Sequence, residues 1–353
     1  MTEFAGIKFH YAVQGTKSVT NSAISHGLGV GIIIENSQNI KLENNVIHDF
    51  LEFGIMAKGS SSNFQVHGNV VNWIRPSNEP LPPYMVWAGD CGGMSFEGAS
   101  AFTVKNNIVA GTWHWAFRLP AYMCGADPVH TGNVAHSISG YGMIVNQGAG
   151  SCSEFSDFKA YKTRIGTLHM GGGIGSATNV IHSIVSIDSN DGIMAFGSSG
   201  GHVEVRDSVI YGDQDMPNRD CPNADKCGAC TKKRGIWIPT FGGHSTSVSV
   251  APDKLKKMFD KSGAWTGTSM FKDLTFIGFD SRTNSCGKSQ AAITTNHGAP
   301  DYHPIANFNR IEFKNTDESA LFAFDSPSQG WANPSDCGPF TCTGLFNVLV
   351  EME

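Results

Sequence analysis

His114 and Arg118 stand four residues apart in the alternating run Trp113-His114-Trp115-Ala116-Phe117-Arg118, and His136 follows eighteen residues later. An imidazole and a guanidinium are the groups a polysaccharide lyase needs, one to take a proton and one to neutralise a uronate. Glycoside hydrolysis instead needs two carboxylates about 5–10 Å apart, and Asp188 with Asp191 is the candidate pair. Plainer readings are preferred for both. Asp188 and Asp191 flank the turn Ser189-Asn190-Asp191-Gly192, where Asp and Asn belong for backbone reasons alone. Arg118 continues an aromatic alternation, which suits stacking on a ring or facing a sugar, and plain core and edge packing is preferred. His48 (followed by Asp49), His136 and His182 each close an Asn-led tetrad and read as polar corner residues, and His169 has no partner motif. No confident catalytic set results. If the chain is an enzyme, His114, Arg118 and His136 are expected to carry the reaction, and Ca²⁺ is expected as a cofactor only in that case.

Positioning comes from a repeat. Asn45-Val46-Ile47-His48 returns 24 residues later as Asn69-Val70-Val71-Asn72, then as Asn107-Ile108-Val109-Ala110 and Asn133-Val134-Ala135-His136. Asp157-Phe158-Lys159-Ala160, Asn179-Val180-Ile181-His182 and Ser208-Val209-Ile210-Tyr211 are read as further copies. A second phrase, Gly54-Ile55-Met56-Ala57, recurs as Gly192-Ile193-Met194-Ala195. Polar residues followed by β-branched ones at this interval suit a coil of short strands, in which each turn stacks equivalent residues about 4.8 Å apart. The expected fold is all-β, a right-handed parallel β-helix of roughly ten rungs. Asn is expected at corners tolerant of the left-handed conformation, its amide bonding to the Asn stacked above. Val180 is expected to face inwards. The β-helix is expected over 1–326, with insertions at about 75–93 and 213–265, a short helix over 251–261, and a cysteine-bearing cap over 327–353.

Composition narrows the function. The 353 residues include 25 Lys and Arg against 31 Asp and Glu, so the net charge of −6 offers no nucleic-acid footprint. Lys232-Lys233-Arg234 and Lys254-Leu255-Lys256-Lys257 read as solvated loop faces. No apolar run spans a bilayer and Met1 to Tyr11 lacks a signal-peptide core, so no membrane insertion by this segment is expected. The opening residues already read as strands, which suggests a segment of a larger protein.

Nine cysteines point to an oxidising compartment. Cys124, Cys152, Cys221, Cys227, Cys230, Cys337 and Cys342 are the disulfide candidates; Cys227-x-x-Cys230 lacks the second ligand pair of a zinc site. No Asn-x-Ser/Thr acceptor exists, because Asn333-Pro334-Ser335 is blocked by its proline. Seven tryptophans, Trp73, Trp87, Trp113, Trp115, Trp237, Trp265 and Trp331, are available to stack on sugar rings, although most are expected beneath lateral loops.

Together, Asn106-Asn107-Ile108-Val109-Ala110-Gly111, Phe117-Arg118-Leu119 with Cys124, and Tyr141-Gly142-Met143-Ile144-Val145-Asn146-Gln147 with Cys152 resemble the β-helix region of the fibrocystin and fibrocystin-L family. Gly235-Ile236-Trp237-Ile238-Pro239-Thr240-Phe241, Phe276-Ile277-Gly278-Phe279 and Asn333-Pro334-Ser335-Asp336-Cys337 extend the resemblance over nearly the whole chain. In that family the region accompanies G8 domains in large receptor-like surface proteins; the Cys221 to Cys230 cluster has no counterpart. The resemblance implies a secreted or surface-displayed scaffold with a receptor or adhesive role and no established catalytic residues to carry over. With no coherent catalytic set, a non-enzymatic module is expected, and its long repeated side surface suits an extended glycan or an extracellular protein as partner and allows end-to-end or lateral self-association through uncapped strands. It also implies a rival, since related β-helix regions occur in hyaluronan-degrading proteins: a polysaccharide lyase or hydrolase working in a side groove.

Overall fold

The computed structural model describes residues 5–76, 91–96, 98–120, 130–146, 153–171, 178–196, 202–213, 233–238, 268–283, 289–295, 305–324 and 348–351. Apart from one 3-10 turn, Glu318–Ala320, the regular elements among them are strands. They fall into two compact units, Met1–Asn146 with Glu154–His169, and Gln147–Ser153 with Met170–Glu353.

In the first unit three strands make one turn. Val30–Glu35, Gln38–Glu43 and Val46–Leu51 are followed by Phe53–Lys58, Ser62–His67 and Val70–Arg75. Each strand lies parallel to its counterpart one turn on, with Ile32 beside Ile55, Ile40 beside Phe64 and Ile47 beside Val71. Six such turns run from Ala5–His10 to Lys159–Thr163. A single strand of this length has little stability of its own, so the fold rests on the aliphatic column inside.

That column explains the recurring Gly-Ile phrase. Cβ atoms added to Gly31, Gly54 and Gly93 would lie 2.3–2.5 Å from methyl groups of Ile47, Val71 and Val109 on the third strand of the same turn. Glycine is required there because the branched side chain opposite already fills the space. In the next turn the volume is shared, Ala116 on the first strand and Ala135 on the third, both fully buried.

The asparagine column is a continuous buried ladder. Asn45 Nδ2 donates to Asn69 Oδ1 (2.9 Å), Asn69 Nδ2 to Asn107 Oδ1 (3.0 Å), and Asn107 Nδ2 to Asn133 Oδ1 (3.0 Å). Each amide also donates to a main-chain carbonyl one turn back, Asn107 to Val66 and Asn133 to Val104. Each side-chain oxygen accepts a main-chain N–H as well, from Asn69 to Asn107 at 2.9 Å and from Asn107 to Asn133 at 3.1 Å. An amide this well satisfied escapes the roughly 1–3 kcal/mol cost of an unpaired buried polar group.

Four expectations need correction. The left-handed corner is the residue before each ladder Asn: Asn44 (φ 56°), Gly68 (66°), Asn106 (55°) and Gly132 (71°). Asp157 (51°) is therefore a corner, and Phe158 takes the ladder position, since Lys159 pairs with Val134. Its ring fills the room left by Gly142, whose Cβ would meet Phe158 Cζ at 3.2 Å. Asn179 is not a ladder residue either: it pairs with Val203, whereas Ser208 lies beside Leu274. Val180 faces outwards beside Glu204, as Val46 and Ile108 do after their own Asn, and its neighbour Ile181 is the buried one.

In the second unit a turn has a short strand and a long one. Asp191–Phe196 precedes His202–Tyr211, Lys233–Ile238 precedes Thr268–Ile277, and Gln290–Thr295 precedes Ile305–Lys314. The long strand bends through one left-handed residue, Asp207, Asp273 or Arg310 (φ 51°, 53° and 50°). Lys233–Ile238 lies inside the stretch expected as an insertion, and Val348–Glu351, inside the expected cap, pairs with Ala306–Asn309. The expected helix over 251–261 lies outside the described residues.

Candidate functional site

The third strand of each turn in the first unit contains one left-handed residue that breaks the in–out alternation: His26, Asp49, Trp73, Gly111, Ser137 and Lys162, with φ between 54° and 61°. Two successive side chains then point outwards before the strand returns to the core at Phe50 or Ile74. The third sheet therefore presents a broader outward surface than simple alternation allows.

Two parallel columns cross that surface. The first is aliphatic, Val46, Val70, Ile108 and Val134, followed by Lys159 in the sixth turn. Val46 is 43% and Ile108 39% exposed. The second is His48, Asn72, Ala110, His136 and Tyr161, in the same register. His48 Nδ1 meets Asn72 Oδ1 at 2.5 Å, and the His136 and Tyr161 rings stack with centroids 4.7 Å apart and planes 4° from parallel. Beside them Trp73 is 56% exposed, its indole lying next to the left-handed Gly111 of the following turn. At one end Arg75 donates to Asp49 at 2.6 Å, and His26 packs edge-on against His48. Partial burial and the charge of Lys162 hold His136 below its ordinary pKa, so it is a neutral donor and acceptor near pH 7.

The first strand's outward face is different. Val30, Ile33, Phe53, Trp115, Tyr141 and Ile144 form a buried apolar cluster. Trp115, 5% exposed, is the centre: its indole lies across Gly92, whose Cβ would sit 2.4 Å from Cδ1. Arg118 Cζ is 5.1 Å from the Trp115 ring and His114 packs against the same ring at 5.6 Å, itself only 2% exposed. The structure thus joins His114 and Arg118 through Trp115, as the aromatic alternation suggested for Arg118, and places His136 on another face. The three do not form one constellation. On the same first sheet, Glu35 accepts from Lys8 and His10, each at 2.8 Å, and lies 3.3 Å from Lys58. These contacts, that to Lys8 foremost, hold its pKa at about 2.

In the second unit Asp188 is left-handed (φ 48°), as its turn position suggested, and both it and Asp191 have charged partners that spacing did not reveal. Lys233 Nζ lies 2.9 Å from Asp188 and 3.8 Å from Asp213. Arg234 holds Asp191 through both oxygens and stacks over Trp237 at 4.2 Å. Burial raises the Asp191 pKa against that pairing. Lys233 is only 4% exposed, so its reading as a solvated loop residue is overturned: the ladder carries it inwards to an aspartate pair. His182 pairs with Arg206, away from any His48-like position.

His130 was not singled out by spacing. It occupies an inward position beside Val104 and Phe155, stacked between Phe102 and Phe155, and burial lowers its pKa to about 3. The missed signal is its place in the strand beside Val66 and Val104, two aliphatic residues of the inner column. Cys91 is a buried free thiol, pushed up to about 12 chiefly by burial. The seven disulfide candidates, and Trp87, Trp265 and Trp331, lie outside the described residues. Among the described residues no three His, Cys, Asp or Glu side chains are placed to share a metal ion, and no helix is long and apolar enough to cross a membrane.

Comparison with known proteins adds the lineage. Residues 3–153 match the family described as Right handed beta helix region. The chain is 24% identical over 364 aligned residues to human Fibrocystin-L, an alignment that covers 93% of this chain. The fold is a right-handed parallel β-helix, and the chain is similar to Fibrocystin-L over most of its length. It spans 8% of the length of that relative. No solved structure matches it. A fibrocystin-like β-helix of this kind fits a structural or recognition scaffold.

Proposed function

We propose that this chain is a non-enzymatic recognition scaffold, displayed at the cell surface or secreted, that binds an extended glycan along the open third-sheet face of its first unit. One observation carries the reading: an aliphatic column and a hydrogen-bonding column run side by side on that face in one register, flanked by the exposed Trp73. A sugar ring has an apolar C–H face and a polar hydroxyl rim, so it is matched by such a pair of columns and an indole. Successive turns are about 4.8 Å apart, close to the repeat of an extended pyranose chain, so neighbouring rings meet equivalent side chains. The separation of His114 and Arg118 from His136 supports a binding role over depolymerisation, and the resemblance to a surface-protein family supports display outside the cell.

The test is binding and turnover together. The chain is incubated with hyaluronan, alginate, pectin, chondroitin and cellulose oligosaccharides, with and without Ca²⁺. Saturable binding weakened by Trp73→Ala, with no chain shortening and no unsaturated ends, is the expected result. Shortening abolished by His114→Ala or Arg118→Ala would replace the scaffold reading by the lyase or hydrolase one.

A further inference from the structure

We propose that the glycan bound by this face is acidic, with carboxylate or sulfate groups held at Lys159 and Lys162 in the sixth turn and ring faces on the aliphatic column. This rests on the reading above and adds the chemistry of the ligand.

Charge on the face is unevenly placed. The chain as a whole is acidic, with a net charge of −6. On the two columns and the left-handed row beside the second, however, the one carboxylate is Asp49, and Arg75 already engages it at 2.6 Å. At the opposite end, Lys159 extends the aliphatic column and Lys162 extends the left-handed row, both exposed. Among the described residues neither lysine has an ion-pair partner, while the nearby Asp157 accepts from Thr131 at 2.8 Å on the adjoining sheet. His136, whose proton affinity is lowered first by burial, is lowered further by the Lys162 charge. Between the lysines stands the His136–Tyr161 stack, a flat aromatic platform.

An open cation pair beside an aromatic platform is suited to a sugar ring carrying an anionic group: the ring lies against the platform and the acid meets the ammonium groups. Four preceding turns offer aliphatic and amide contacts but no open cation, so the charge contact is made at the sixth turn. Lysine, a point charge on a flexible stem, accepts carboxylate or sulfate without demanding a bidentate geometry.

The experiment measures binding of size-matched heparin, alginate and cellulose oligosaccharides and of polyglutamate at low and high salt, to the parent chain, to the Lys159→Gln/Lys162→Gln double variant and to Trp73→Ala. The expected result has three parts. The acidic sugars bind more tightly than the neutral one and lose affinity with salt. The double variant weakens them roughly tenfold and removes the salt dependence, with an unchanged melting temperature. Trp73→Ala weakens all the sugars. Preference between heparin and alginate then distinguishes sulfate from carboxylate. Equal, salt-independent binding of neutral and acidic sugars, still sensitive to Trp73→Ala, overturns the acidic-ligand inference and leaves the glycan reading standing. Binding that ignores Trp73→Ala overturns that reading itself, and polyglutamate binding as tightly as the acidic sugars overturns the choice of a sugar.

Discussion

The turns of the first unit show two outward faces that use similar residues and meet opposite fates. On the first strand Val30, Ile33, Phe53, Trp115 and Tyr141 point away from the central column, yet they are buried as a second apolar cluster. On the third strand Val46, Ile108 and Trp73 also point away, and they remain in contact with solvent. Alternation tells which side chains leave the core; it does not tell which of them are covered again. A covered apolar face contributes to stability by the area it removes from water. An open one contributes little and is available to a ligand, and exposed apolar residues in register are the mark of such a surface.

The largest effect is expected on the covered face. Trp115→Ala removes a buried indole, and is expected to lower stability by about 3–5 kcal/mol, read as the shift of a chemical-denaturation midpoint. Gly92→Ala should imitate part of this loss, because its Cβ would lie 2.4 Å from the same ring. If Trp115→Ala left the midpoint unchanged, the two faces would not differ in the way their burial implies.

The ladder that holds both faces in register comes next. Asn107→Ala removes the acceptor used by the Asn69 main-chain N–H and Nδ2, and the donor used by the Val66 carbonyl. The expected loss is about 2–4 kcal/mol. Phe158→Asn, at the position where the ladder ends, tests the converse: an amide there has Asn133 as a neighbour but vacates the space the ring fills beside Gly142. Destabilisation is expected, and a gain would show that the ladder outweighs the ring.

A pH effect separates interior from surface. Folded His130, with its pKa lowered to about 3, binds fewer protons than unfolded His near 6.5. Its contribution is therefore complete above pH 6.5 and is lost as the pH falls towards 3, amounting to about 2 kcal/mol at pH 5. His130→Phe should flatten the stability profile between pH 7 and 5. Glu35, held at about 2 against an ordinary 4.5, acts in a lower window, its contribution being lost only below pH 4.5. A profile unaltered by His130→Phe down to pH 5 would remove the imidazole from the interior.

Much of the fold was legible because the interior is periodic. Asn45, Asn69, Asn107 and Asn133 announce the register, since only a buried amide stacked on its own kind tolerates that position turn after turn. The same pattern misled at Asn179 and Val180, where an Asn-led tetrad recurs in a different strand. Asn179 lies on a strand with no Asn beside it, and Val180 was misassigned because the residue after the amide faces outwards in every copy, as Val46 and Ile108 do, while the next one, Ile47 or Ile181, is buried. Of the three histidines expected at one edge, His48 and His136 share a column, within strands and not at corners, and His182 lies elsewhere. Lys233 was misread, because a run of basic residues does not show that Asp188 lies beside it one turn away. The covering of Trp115 and the exposure of Trp73 were not legible either: both are tryptophans in strands, and their difference depends on which neighbours close over each face.

The smallest effect on stability is expected on the open face, and it is the one with the clearest functional content. Trp73 is more than half exposed, and its left-handed backbone (φ 59°) costs any bulky residue some strain. Replacing it removes few buried contacts, so Trp73→Ala should change stability by less than about 0.5 kcal/mol. Trp73→Gly could even stabilise slightly, because glycine adopts this conformation freely. Binding should move the other way: both variants lose the indole and with it the ring contact to the sugar. A matched pair measured side by side, Trp115→Ala and Trp73→Ala, then reports the two faces directly. The first should lower the melting temperature, with folded protein that still binds; the second should melt normally and bind poorly. If the two variants behaved alike in both assays, the distinction between a covered face that holds the fold and an open face that meets the ligand would be lost.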